Sequence, residues 1–353
     1  MCNLETSAHE ALEIDFAAAP RVAANRSRRA WALSVLLGGA LVNSSARADI
    51  TPDQAQAIQS AISSRVEALT IFGGDYGLAG GNFVSRGKHA AGSPVDADLS
   101  VNKFGGGGDI GDPRPIGDSS VGWLPILQGN VGSLEAKNHV ESGLLAGDTN
   151  QFKSFALEFG GGLRLFFADA FSIAPTISAL YGHTSNDYSA VSAFMQANAA
   201  KATQLGLVNW VVDTWTVRPA LNVQYVFKWD KTTITLSSDP TYFHTGTFRT
   251  DNANVKVRGD SWTIANTLDV DVPLGMQLFG YELHTGAYFS RTDLSGGVEQ
   301  GLDFEHLYEI HSRVVLDFLN RWWKLNWVGI GASYLWGPNI TGWTVGADVK
   351  FKF

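Results

Sequence analysis

The last residues of the chain alternate without a break. Trp343, Val345, Ala347, Val349, Phe351 and Phe353 share one face, while Thr344, Gly346, Asp348, Lys350 and Lys352 take the other. Successive side chains of a strand point to opposite faces, so this segment has one oily side and one wet side. Such a strand suits a wall between lipid and a polar lumen.

The rest of the composition fits a wall of that kind. Mean hydropathy is -0.01, and only 17% of residues are charged, beside 38 Gly, 20 Phe and 11 Trp. A barrel that is apolar on alternate residues only has this near-neutral balance. The longest apolar run, Ala30 to Val42, is shorter than the roughly 20 residues a transmembrane helix needs. A net charge of -8 argues against nucleic acid as a partner, since phosphate binding wants a basic surface.

The N-terminus reads as a secretory signal over 1–48. Arg26, Arg28 and Arg29 supply its positive region, Ala30–Val42 its apolar region, and Ala46-Arg47-Ala48 a small-x-small cleavage site. Cys2 lies in the removed part, which leaves the mature chain without thiol or disulfide chemistry. Next, Thr51-Pro52-Asp53-Gln54 forms a capping box with Pro at the first helical position. Ile58, Ala61, Ile62, Val66 and Leu69 recur at helical spacing and predict a helix over 52–68, within a segment 49–68 that precedes the barrel. A lone short helix is marginal in water, so it is expected inside or against the periplasmic mouth.

Twelve strands are expected over 69–353: 69–79, 97–105, 121–134, 152–167, 171–187, 208–229, 231–247, 255–273, 276–291, 302–318, 321–336 and 341–353. Tight connections at Ala168-Asp169-Ala170, Asp230-Lys231, Leu274-Gly275 and Leu319-Asn320 alternate with longer ones. That asymmetry belongs to up-and-down barrels of the outer membrane, with turns toward the periplasm and loops outside. An even count permits closure, which leaves no unpaired edge in lipid. The fold class is therefore all-β: a transmembrane antiparallel up-and-down β-barrel of about 12 strands with a short N-terminal helix.

Alternation also assigns the inner face. Glu158, Arg164, Arg218, Lys228, Glu282, Asp303, Glu305, Glu309, Arg313, Asp317, Asp348 and Lys350 are expected to line the lumen. A mixed lining makes either a polar channel or a closed interior of salt-bridged pairs, and a lumen of only twelve strands favours the closed or narrow form.

The signal segment, the short helix, the twelve strands and the tail Gly342–Phe353 together resemble the solitary outer-membrane autotransporter-like β-barrel family. The resemblance implies a Gram-negative outer membrane, no passenger, no cofactor and no catalytic residues. Phe351 and Phe353 resemble the C-terminal signal by which barrel-insertion machinery recognises such proteins. Outer-membrane lipid is the other expected partner, and no ligand is specified.

One segment carries a competing chemistry. In Gly182-His183-Thr184-Ser185-Asn186-Asp187, His183 and Ser185 fall on the lipid face near the outer rim. The His-x-Ser-Asn order resembles the catalytic stretch of two outer-membrane lipid hydrolases, phospholipase A and the lipid A deacylase. An imidazole there would take the Ser hydroxyl proton while an acidic or amide side chain orients the ring. Asn198 and Asp187 do not offer a clear third member, and a strand leaving the membrane explains a polar rim equally. The leading expectation is a structural, interaction or narrow-channel barrel; the alternatives are this hydrolase and a small passive porin. Metal binding is not expected, because the histidines are scattered and His306 and His311 fall on opposite faces of one strand.

Overall fold

The computed structural model describes residues 52–74, 79–86, 95–140, 145–168, 170–322, 325–338 and 340–351. The expected signal segment 1–48, its cleavage site near Ala48, and Phe353 lie outside the described residues. So do the side chains of Asp348, Lys350 and Phe351.

Among the described residues the first element is helix α1 (Pro52–Gly74). Strands β1 (Ala79–Arg86), β2 (Val95–Asp109), β3 (Arg114–Pro115), β4 (Gly122–Val140), β5 (Thr149–Ala168) and β6 (Phe171–Ser189) follow. Helix α2 (Ala193–Gln204) then leads to β7 (Trp210–Trp229), β8 (Thr232–Thr250), β9 (Arg258–Leu278) and β10 (Tyr281–Gly296). Helix α3 (Gly297–Leu302) precedes β11 (His306–Trp322), β12 (Leu325–Trp336) and β13 (Ile340–Phe351). All pairings are antiparallel, and β1 pairs with both β2 and β13 while β2 also pairs with β4. The sheet therefore closes into a ring of twelve wall strands, with the two-residue β3 paired outside the ring to the start of β4.

Parity holds where the sequence places it. Along β7 the outward residues Trp215, Val217, Leu221, Tyr225, Phe227 and Trp229 are exposed, while Thr214, Thr216 and Arg218 are buried inside. On β13, Trp343 and Val345 face out, and Thr344 and Gly346 line the lumen.

Several expectations are corrected. The strand expected over 69–79 does not form, because α1 continues to Gly74 and β1 begins at Ala79. Leu69 and Ile71 are buried against the wall, which extends the helix instead of ending it. The turn expected at Leu274-Gly275 is a bulge: the register slips there, and Gly275 takes a φ of 67°. The chain reverses at Phe279-Gly280, whose φ values of 54° and 80° are of the sign a two-residue hairpin turn requires. A register shift also falls between Leu325 and Trp327 near the start of β12.

The helix position is corrected as well. Ser63 bonds Arg258 at the start of β9, and Arg65 donates to Gly301 of α3 at 3.0 Å. Both partners lie at the end where the long connections are. Toward its other end, Ile71 and Phe72 reach the middle of the lumen. The helix thus fills the long-loop half of the barrel, not the short-turn mouth that outer-membrane barrels turn toward the periplasm.

Glycines let the wall fold tightly at one place. A Cβ added to Gly160 would collide with Ser178, and one added to Gly162 with the backbone oxygen of Pro175. We expect Gly162→Val to block assembly, read as loss of the heat-shifted gel mobility of the folded barrel; the same change at Gly106, where a Cβ meets nothing, should leave it.

Candidate functional site: the plugged lumen

The inner wall is built in two halves. At the long-loop end, Leu99, Leu134, Phe152, Trp210 and Val212 form one apolar cluster with Ile62, Val66 and Leu69 of α1. Phe243, Leu294, Leu307 and Leu335 form a second with Ala68, Ile71 and the α3 residues Val298 and Leu302. Residues 66–71 of α1 are all buried, so this stretch of the helix is enclosed on every side. A helix apolar on one stripe would sit on a surface; one buried all round is a core element.

Below α1 the wall turns polar and encloses a cavity of about 980 Å³. Arg218 donates to Glu158 at 2.8 Å and lies 5.6 Å over the Phe243 ring, and the Ser178 hydroxyl also donates to Glu158. Arg164 bridges Asp109 at 3.1 Å and Gln224 at 2.9 Å. Arg313 holds both carboxylate oxygens of Asp269, at 2.9 and 2.8 Å. The Tyr288 hydroxyl donates to Glu309 at 2.7 Å, and its ring stacks on His311, whose Nδ1 lies 2.8 Å from the Ser333 hydroxyl.

Sequence-expected lining residues distribute as follows. Glu158, Arg164, Arg218, Glu309 and Arg313 meet partners on the inner wall. Glu282 stands across from Asp317, and Lys228 is exposed close to the end of β7, both near the short-turn mouth. Asp303 and Glu305 are not on the wall. Asp303 caps α3 in a left-handed conformation with φ of 57°, and Glu305 is exposed in the connection before β11. The strand begins only at His306, so its alternation cannot be extended back to them.

One residue absent from that reading dominates the plug. Glu67 of α1 is 0% exposed and accepts a hydrogen bond from Ser261 Oγ at 2.7 Å. Ser261 Oγ in turn accepts from the Val298 backbone N–H at 2.9 Å. Among the described residues the other carboxyl oxygen of Glu67 has no partner. Its space exists because two glycines stand beside it: a Cβ on Gly259 or Gly297 would overlap the carboxyl. Burial pushes the Glu67 pKa up to about 7; the Ser261 hydrogen bond opposes the rise, Asp260 adds to it, and His244 opposes it. Nearby on α3, burial and the Glu299 charge raise Asp303 to about 6. The signal that could have marked Glu67 was a lone acid inside the run Arg65-Val66-Glu67-Ala68-Leu69, though helical spacing alone leaves it on a solvated face.

On the outside, His183 and Ser185 do lie on the outward face of β6, and cross-strand pairing sets His183 opposite Asp213 of β7. Asp213 is an acidic partner of His183 that the sequence did not supply: its Oδ1 is 2.6 Å from His183 Nδ1. Asn198 instead sits in α2 and donates to the Phe194 carbonyl at 2.9 Å.

A closed ring with an apolar outer belt, a polar lumen and a lumenal helix defines an outer-membrane β-barrel. Residues 116–346 match the family model described as the solitary outer membrane autotransporter beta-barrel domain. The chain belongs to that family and so to the outer membrane of Gram-negative bacteria. Among solved structures it is similar to the β domain of the Bordetella autotransporter BrkA, with 14% identity, TM-score 0.46, and 79% of this chain and 100% of that chain covered. For the transport unit of the autotransporter AIDA-I from Escherichia coli the figures are 10%, 0.49, 83% and 98%. For the translocator domain of the autotransporter NalP from Neisseria meningitidis they are 11%, 0.45, 85% and 98%. No curated protein matches the chain.

The buried ion pair should be costly to break. Arg218→Met, which strands Glu158, is expected to lower stability by about 3–5 kcal/mol, measured by urea unfolding followed through tryptophan fluorescence. Lys153→Ala, at the exposed Lys153–Asp187 pair, should change it by no more than about 1 kcal/mol.

Proposed function

We propose that the protein is a gated outer-membrane conduit, closed at its outer mouth by α1 and holding a polar chamber open toward the periplasm. The observation that carries this reading is the enclosure of α1 by the long-loop half of the wall. A passive porin needs an unobstructed lumen, and the packed helix weighs against it. A purely structural barrel needs no buried acid, whereas among the described residues Glu67 is unpaired on one oxygen inside the plug.

The same acid makes the closure sensitive to pH. Its docked pKa lies above the ordinary carboxylate value, so docking is strongest when Glu67 is protonated and weakens as pH rises toward and through about 7. The Asp260 and His244 charges act on Glu67 from the outward face of β9 and β8, while Glu299 acts on Asp303 beside α3.

Planar-bilayer recording tests this. The mature chain should conduct little at pH 5, and openings should become more frequent as pH rises through about 7. Glu67→Gln should remove that pH dependence and stay closed. Gly259→Ala with Gly297→Ala, which crowds the Glu67 pocket, should raise conductance at every pH. Removal of residues 52–74 with no gain in conductance would sink the proposal.

A further inference from the structure

The outer face of β6 and β7 holds a second constellation, which does not depend on the plug. Tyr181, His183 and Ser185 succeed one another on the outward face of β6. His183 Nδ1 is fixed on Asp213 Oδ1 at 2.6 Å, and Arg249 Nε holds the other Asp213 oxygen at 3.1 Å. The Asp213 side chain is 4% exposed, whereas that of His183 is 44% exposed. An imidazole held by a carboxylate through Nδ1 presents Nε2 as the proton acceptor. Among the described residues neither that nitrogen nor the Ser185 hydroxyl has a partner. Two positions on one strand face are about 6.6 Å apart, within the combined reach of an imidazole and a hydroxymethyl arm.

The depth of the site is set by its neighbours. Tyr181 lies across from Trp215, and His183 lies across from Phe155; Tyr181, Trp215 and Phe155 are exposed on the outer belt, with His183 half-buried among them. One step further out, Ser185 lies across from Lys153, which pairs with Asp187 at 3.5 Å. The change from apolar to charged surface therefore passes through His183 and Ser185. Aromatic girdles mark the membrane–water interface, the depth at which the ester groups of outer-leaflet lipids lie.

The wall contains a near-copy that isolates the role of the serine. Tyr242 and His244 on β8 both bond Asp260 of β9, with His244 Nδ1 at 2.7 Å, and the two strands pair His244 with Asp260. Tyr181-Gly182-His183-Thr184-Ser185 there becomes Tyr242-Phe243-His244-Thr245-Gly246. A Tyr-His-Asp cluster at the belt is thus a shared anchoring device, and a nucleophile is present in one copy alone.

We propose that Ser185, His183 and Asp213 form a serine acyl-hydrolase site for ester-linked acyl chains of outer-leaflet lipid. Ser185 Oγ attacks the ester carbonyl carbon as its proton passes to His183 Nε2. The tetrahedral oxyanion collapses, the carbon–oxygen bond to the lipid breaks, and the departing alcohol takes the proton from His183. Water then attacks the acyl-serine ester and gives a proton to His183. Release of the fatty acid breaks the Ser185 ester bond, and that proton returns to Ser185 Oγ. Asp213 is a positioning residue that holds the ring, and the Lys153 ammonium lies on the same face to favour the developing negative charge.

The mature chain is refolded, its folding confirmed by heat-shifted mobility, and placed in vesicles of phosphatidylethanolamine and phosphatidylglycerol, or in the same vesicles with lipid A. Labelled fatty acid released from one or both lipids is expected, and the two arms identify the source. Ser185→Ala and His183→Ala should each lose at least about 100-fold in rate. Asp213→Asn should lose rate and move the pH profile, while His244→Ala should change little. A fluorophosphonate probe should label Ser185, read by mass spectrometry, and should fail on Ser185→Ala. A folded barrel that neither releases acyl chains nor takes the label overturns the proposal, as does release that survives Ser185→Ala.

Discussion

A sheet in lipid cannot leave an edge unpaired, and everything else in this structure depends on that constraint. Water is absent there, so each exposed N–H and C=O costs several kcal/mol. The ring closes through β1, a strand of 8 residues flanked by β2 and β13. Closure then divides space: outward parity must serve lipid, and inward parity is free to be polar. Long strands such as β9, with 21 residues, hold that division through a bulge at Gly275 without losing their partners.

Inside, the division is repeated along the barrel axis. The long-loop half offers aliphatic and aromatic side chains to α1, while the other half offers charged pairs to water. This arrangement lets a helix dock without exposing a polar wall to it. Glu67 breaks the rule, since it brings a carboxyl into the apolar half, where the glycines at 259 and 297 leave it room. On the proposed conduit reading, such a local conflict costs stability in the closed state and makes that state responsive to protonation. The conduit reading rests on this conflict, and the outward hydrolase reading rests on a separate face of the wall.

Much of the wall was legible in the sequence. Eleven of the twelve wall strands and the facing of β7 and β13 follow from period-two alternation, which is a property of consecutive residues, whereas β1 was not foreseen. Boundaries failed where two signals competed. Leu69, Ile71 and Phe72 satisfy either a strand or a continued helix, and burial on all sides decided for the helix. Gly275 carries the conformation of a turn but is used for a bulge. Asp303 and Glu305 continue the parity of β11 on paper, yet they lie before the strand starts.

The sequence by itself determined the alternation, and hence the barrel, its belt and the compartment, because those rest on near-neighbour geometry. Only the tertiary structure decided which residues meet across the wall. The pairing of His183 with Asp213 depends on register across the connection 190–209, and no local pattern carries that register. The depth and direction of α1 were likewise settled by packing: the helix is stable only where the wall supplies an apolar socket, and that socket exists after twelve distant strands have closed.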